Sequence, residues 1–544
     1  MERILERRRR NGDYRGGIDY SGIGGIGADI PYPADLYCKQ LVYKDYKQYK
    51  PLLAHERVMN SAGGYLTVFL SLILSLIIMV SLGLIEGVRH NAVALESECV
   101  ADVAWNSVFA EYHRGMAERF NIFVLDASYG TDYSAHSNIE RHYKKYLDRN
   151  VRVTDGGIWD YLIVDFVKLN VSESQVNKAM LLTDGNGRVY RAMAVNAVKD
   201  DLNLHTLDKV MGWLDVIQGN GLLEWNSEQP RQEAQAQIGL LLKETEGRES
   251  QSFESPTAYL DEVRKRGILS WVLGDNALAV VSNKTLLEEE LFSARSKKNG
   301  INKGNVDLPE TGFLEETAER FLFREYLLSY FGNYLEQQEN SSLQYQIEYL
   351  IVGKPGDADN LRGVIKRITA IREAANAMYL FSDAEKSQTA EVAAFLLSTV
   401  VGLPELTQPV KVLLLLGWSY GETLHDMELL LEGQQVPLLK DDRTWHYSLD
   451  NILEGIGKDK EIEKVAGDGM HYKDYLRVLM MLTGQKELTK RSMDLTEADI
   501  RLLPGNSNFC LDNCYVELEA ETEFTSDFGY TYSVTKKGSY LYLK

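Results

Sequence analysis

Tyr65 to Ile85 reads YLTVFLSLILSLIIMVSLGLI, 21 residues without a charge. As a helix with a rise of about 1.5 Å per residue, this stretch crosses the roughly 30 Å hydrocarbon layer of a bilayer. Glu86 and Arg89 close it sharply. Core helices of soluble domains rarely exclude charge for so long, so the segment predicts one transmembrane helix over residues 63–86. Its flanks predict the orientation. Lys47, Lys50 and Arg57 precede it, with Arg7 to Arg10 further upstream, and only Arg89 follows closely. The positive-inside rule then places residues 1–62 in the cytoplasm and residues 86–544 outside, as in a single-pass protein of the cell membrane. Ala92-Val93-Ala94 has the small-x-small form of a signal cleavage site. The apolar run is too long and the preceding region too large for a cleaved signal. Met59, just ahead of the segment, is a second candidate start.

On the N-terminal side, residues 1–62 hold 11 Lys and Arg against 8 Asp and Glu, a charge of +3, and the rest of the 544-residue chain carries −23, which gives the net −20. An acidic bulk repels nucleic-acid phosphates, so no nucleic-acid partner is expected. The tail reads as disordered, with a Gly-rich stretch from Ser21 to Gly27. Gly22 to Gly27 match G-x-G-x-x-G by letter, but no strand precedes and Ile30-Pro31 follows, so a dinucleotide loop is not expected. Four cysteines are too few for a disulfide scaffold.

On the other side, Val88, Ala92, Leu95, Cys99 and Val103 recur at helical spacing, and Trp105, Phe109, Tyr112, Met116 and Phe120 continue the series. This predicts a long amphipathic stalk helix over 87–125. Its stripe packs either on the protein's own domain or on neighbouring subunits.

Residues 126–544 read as an α+β domain, mixed helix and antiparallel sheet, with 126–250 and 313–544 as candidate subdomains. Asp155 to Val198 reads as strands turning at Asp184-Gly185-Asn186-Gly187. Leu202 to Arg248, Phe313 to Glu339, Asn360 to Leu380 and Glu391 to Leu431 read as helical, the last broken near Pro404. Leu343, Tyr345, Ile347, Tyr349 and Ile351 alternate and predict a strand. At the C-terminus Val516, Leu518, Ala520, Thr522 and Phe524 alternate with Glu517, Glu519, Glu521 and Glu523, a strand with an acidic outer face. Tyr530 to Val534 come next, then a turn at Lys536-Lys537-Gly538.

Motifs for chemistry are sparse. Leu308-Pro309-Glu310-Thr311-Gly312 spells a sortase signal, but it is mid-chain and lacks the apolar tail. Glu422 and Asp426 share a helix face at i, i+4, with His425 beside them and His446 nearby in sequence. Strong zinc patterns need His or Cys pairs, and none is present at this face, so the carboxylates are expected to pair with basic groups. Arg372, on one face with Asn376, is the candidate, giving a structural polar cluster of Arg372, Asn376, Glu422 and Asp426. No catalytic residue, cofactor or metal is assigned, and the chain is not expected to be an enzyme. Cys510 and Cys514 flank a three-residue turn and make a candidate disulfide. Gly64, Thr67, Ser71 and Ser75 line one face of the membrane helix, where small residues let a partner helix approach.

Together these residues resemble a known family. They include Gly64-Tyr65-Leu66-Thr67-Val68-Phe69-Leu70-Ser71-Leu72, Ala110-Glu111-Tyr112, Phe120-Asn121-Ile122-Phe123 and Tyr345-Gln346-Ile347-Glu348-Tyr349-Leu350-Ile351-Val352-Gly353-Lys354. Asp359-Asn360-Leu361, Ile371-Arg372-Glu373-Ala374-Ala375-Asn376 and Trp418-Ser419-Tyr420-Gly421-Glu422 add to it. The chain resembles an uncharacterised family of single-pass membrane proteins of Gram-positive bacteria, typically encoded among tight-adherence (Tad) pilus genes. The resemblance implies place and company rather than chemistry. Pilin-like subunits of such loci carry a glycine before an apolar helix, as Gly64 does, but have Glu where this chain has Phe69.

The function expected is a membrane-anchored, extracytoplasmic structural or assembly component. Its expected partners are the lipid bilayer, pilin-like or pilus-assembly membrane proteins, and further copies of itself. The alternatives are a surface-anchored enzyme, using Glu422, His425 and Asp426, or a ligand-sensing ectodomain.

Overall fold

A computed structural model describes residues 63–131, 136–151, 167–199, 204–244, 257–273, 281–287, 291–294, 313–455 and 469–541. The N-terminal tail, Cys38, the glycine-rich motif and the 308–312 motif lie outside these residues.

Helix α1 spans Gly63–Phe109. Its apolar segment is exposed from Tyr65 to Ile85, with Ile73 alone half-buried. It is the one described helix long and apolar enough to cross a membrane. The chain divides into a unit ending at Gly83 and a compact unit from Leu84 onward.

Within the second unit, Val93, Ser97, Val100, Ala101, Ala104, Trp105 and Val108 are buried. This corrects the expected stripe, because Val88, Leu95, Cys99 and Val103 lie on the exposed face. The stalk prediction is corrected too. α1 ends at Phe109, the chain turns through Ala110 to His113, and a short helix, α2, spans Arg114–Phe120. At the turn the Glu111 carboxylate accepts from the hydroxyls of Tyr129 (3.0 Å) and Tyr146 (2.6 Å).

Next come β1 (Leu125–Asp126), α3 (His136–Val151), β2 (Leu169–Leu181), α4 (Asp184–Val198), α5 (Leu204–Gly219), α6 (Glu228–Glu244), α7 (Ala258–Arg266) and α8 (Ile268–Leu273). The chain reverses at Gly185, Asn186 and Gly187, all at positive φ, as their residue types favour. Beyond this reversal the chain is helical up to Val198, where a strand was expected.

The helical bulk comprises α9 (Phe313–Tyr330), α10 (Gln346–Val352), α11 (Asp357–Ser382), α12 (Ala384–Val400), α13 (Thr407–Leu431), α14 (Leu449–Glu454), α15 (Tyr472–Leu482) and α16 (Gln485–Arg501). Every residue of α13 from Leu413 to Met427 is buried, the apolar Leu413 to Leu416 and the polar Ser419, Glu422, Thr423 and Asp426 alike. α11 and α12 pack against it. Gly402 at positive φ and Pro404 separate α12 from α13.

α10 replaces the strand predicted over 343–351. Gln346 and Glu348, which alternate with the apolar residues of that stretch, are fully buried. Gln346 Oε1 accepts from Gly332 N at 3.0 Å and Glu348 Oε1 from Tyr334 N at 2.9 Å. The preceding loop thus supplies the partners that water would otherwise give.

β3 (Cys514–Ser526) and β4 (Thr531–Ser539) complete an antiparallel sheet. β3 is its centre. Thr522 pairs with Ser174 of β2 on one edge and Val534 of β4 on the other, and Leu125 of β1 pairs with Tyr515. Stretches 126–250 and 313–544 therefore share one sheet and one compact unit. β4 runs straight through Lys536-Lys537-Gly538, where a turn was expected. Lys536 binds Glu98 (2.6 Å) and Asp102 (2.7 Å) of α1, and Lys537 binds Glu517 (2.8 Å). A Cβ on Gly538 would stand 2.5 Å from the Phe109 ring, so this glycine lets α1 lie against the sheet.

Candidate functional site

The predicted polar cluster assembles between α11 and α13. The i, i+4 spacing turns Arg372 and Asn376 toward Glu422 and Asp426. Arg372 donates to Asp426 Oδ2 through Nη2 (2.8 Å) and Nε (3.1 Å), and Asn376 Nδ2 donates to the same oxygen at 2.8 Å. All four side chains are fully buried.

The loop between α13 and α14 closes the cluster. Pro437 O (2.6 Å) and Leu438 O (2.8 Å) accept from Arg372 Nη1. Lys440 enters between the carboxylates, pairing with Glu422 and standing 2.6 Å from Asp426 Oδ1. Glu422 accepts from the backbone N–H of His446 (3.0 Å) and of Tyr447 (2.9 Å). Two cations thus face two carboxylates. Burial pushes both carboxyls up, but Lys440 beside Glu422, and Arg372 with Lys440 beside Asp426, outweigh it and hold both below the usual carboxylate range.

Lys440 is the member that sequence reasoning missed. It is the buried lysine of the described residues, and it comes from a loop with no periodicity to flag it. His425 and His446 lie alongside with ring centroids 4.7 Å apart. Burial, and then His446, push the His425 imidazole down to about 4. No group of three metal-ligating side chains converges among the described residues. Chemically the cluster is a neutralised ionic lock that ties a loop to two helices.

The other predicted residues lie elsewhere. Thr67, Ser71 and Ser75 are exposed on α1, and Gly64 is its second residue. The Ser71 and Ser75 hydroxyls donate to Val68 O and Leu72 O of their own helix, each at 2.8 Å. That face therefore offers a partner small size rather than hydrogen bonds. Cys510 and Cys514 carry no disulfide. The buried Cys514 Sγ lies 3.7 Å from Cys510 O across the turn.

One apolar candidate membrane span joined to a mixed helix and antiparallel-sheet domain is consistent with a single-pass membrane protein. The chain belongs to the "Family of unknown function (DUF5702)", whose model matches residues 246–526. No curated protein and no solved structure matches it.

Proposed function

We propose that this chain is a membrane-anchored, non-enzymatic structural or assembly component of a pilus-like surface system, its C-terminal domain held outside the membrane. The observation that carries this reading is the two-sided character of α1. Beyond the span, one face of the helix enters the protein's own core, while Val88, Leu95, Cys99 and Val103 stay exposed on another. Such a face, continuing an exposed apolar membrane segment, suits a neighbouring helix. Lys47, Lys50 and Arg57 before the span, against Arg89 alone just after it, favour the orientation given.

Cys99 lies on that face and supplies the test. A thiol-specific cross-linker added to membranes should capture a partner, either a second copy or a pilin-like protein. The adduct should vanish in Cys99→Ser and weaken in Leu95→Glu. Protease added to intact, wall-stripped cells should degrade residues 86–544 and spare an N-terminal tag. Absence of a Cys99-dependent adduct removes the assembly role, and a protected C-terminal domain reverses the topology.

A further inference from the structure

A cavity of about 570 Å³ opens between α6, α8, α11 and α13, away from the ionic cluster. One face of α11 forms its wall, with Arg362, Ile365, Lys366, Thr369 and Glu373 at helical spacing. Trp225, Ile268 and Leu269 supply apolar lining opposite. Its size is that of a small-molecule site, apolar with a few convergent polar groups.

The charge of the lining is the unusual part. Its two carboxylates are already matched. Glu373 holds Arg264 at 2.7 Å, and Glu228 holds Arg231 at 2.5 Å. The Arg264 guanidinium also lies 4.0 Å over the Tyr420 ring, so this arginine is locked in the wall. Three cations remain at the mouth. Arg362 and Arg266 make only exposed pairs, with Asp359 at 3.0 Å and Glu262 at 4.0 Å, which bind weakly. Lys366 makes no hydrogen bond or ion pair among the described residues. In a chain of net charge −20, a lining with four cations against two carboxylates is a local positive patch that attracts anions.

We infer that this cavity binds a small amphiphilic anion: a phosphate or carboxylate carried on an apolar or aromatic body. The anionic group meets Lys366 and Arg362 at the mouth, and the body lies against Trp225 and Ile268. The inference is independent of the assembly role.

The test is calorimetric titration of the full-length chain, held in phosphatidylcholine nanodiscs, with naphthyl phosphate. Saturable binding at one site per chain is expected, with naphthol and inorganic phosphate each weaker by roughly tenfold or more. Arg362→Ala combined with Lys366→Ala should weaken naphthyl phosphate by a similar factor. Both side chains are exposed, so the melting temperature should not change. Competition with dioctanoyl phosphatidylglycerol separates two sources of such an anion. Displacement supports a lipid headgroup and its absence a soluble metabolite, and the site stands in both cases. Equal affinity in the double variant, equal affinity for naphthol, or no saturable binding overturns the inference.

Discussion

Lys440 Nζ lies 2.6 Å from Asp426 Oδ1 at a point where neither side chain meets solvent. A lone buried ammonium would be costly, and so would two carboxylates facing Arg372 alone. The lysine and the aspartate therefore depend on each other, and the loop carrying Lys440 is fixed by that dependence.

Lys440→Met should lower the stability of the full-length protein by about 3–5 kcal/mol, the cost of breaking a buried pair by removing one partner. Chemical denaturation of the detergent-solubilised chain measures it. A loss below about 1 kcal/mol would show that the loop does not carry its lysine between the carboxylates.

Glu348 predicts an alkaline weakness. Burial raises its carboxyl from 4.5 to about 7, against the hydrogen bonds of Tyr334 N and Tyr472 OH that favour the ionised form. From pH 4.5 to 7 the unfolded chain releases a proton that the folded chain keeps. The stability this group contributes below pH 4.5 is therefore lost as pH rises through 7, by about 3 kcal/mol. Glu348→Gln should match the parent near pH 4.5 and melt higher at pH 8. Parallel melting curves at both pH values would contradict the buried state of this acid.

His425 predicts the opposite slope. Its imidazole is held down to about 4, so between pH 6.5 and 4 the unfolded chain takes up a proton that the folded chain does not. Stability is full above pH 6.5 and falls as pH drops through 4, again by about 3 kcal/mol. Between these limits the two groups oppose each other. His425→Phe, with Glu348 intact, should become more stable relative to the parent as pH falls from 7.5 to 4.5, read from melting temperatures. An unchanged difference between the two proteins over that range would discount the histidine.

Gly538→Ala tests the seating of α1 on β4. Even a methyl there meets the Phe109 ring at 2.5 Å and Trp105 Nε1 at 2.8 Å. Overpacking of this kind costs roughly 1–3 kcal/mol. The melting temperature should fall, and one unchanged from the parent would mean that helix and strand are not in contact there.

Where sequence signals are local, they sufficed. α13 announces itself by the apolar stretch from Val412 to Trp418, its separation from α12 by Gly402 and Pro404, and β3 by glutamates at every second position. The i, i+4 pairs Arg372/Asn376 and Glu422/Asp426 located four members of the cluster, because helix geometry alone sets which side chains share a face. Lys440 was invisible, since a loop residue reaches its partners only through the tertiary fold. α10 misled because its buried Gln346 and Glu348 imitate the solvent face of a strand. α1 misled because two of its faces carry apolar residues. The face that goes inside is built partly from Ser97, Ala101 and Ala104, whose small size suits close approach and gives a weak hydrophobic signal.

The central place of β3 has a consequence for synthesis. Its register joins Gln175 to Glu521, 346 positions later (521 − 175), so β2 leaves the ribosome long before its neighbour exists. Closing so distant a contact is slow, and until then β2 offers an unpaired edge. The matched stretch 246–526 contains β3 but neither β2 nor β4, the strands on its two edges. Expressed alone, that stretch would carry a bare central strand, open to aggregation on both sides. The part of the chain by which the family is recognised is therefore not a part that can be cut out and folded.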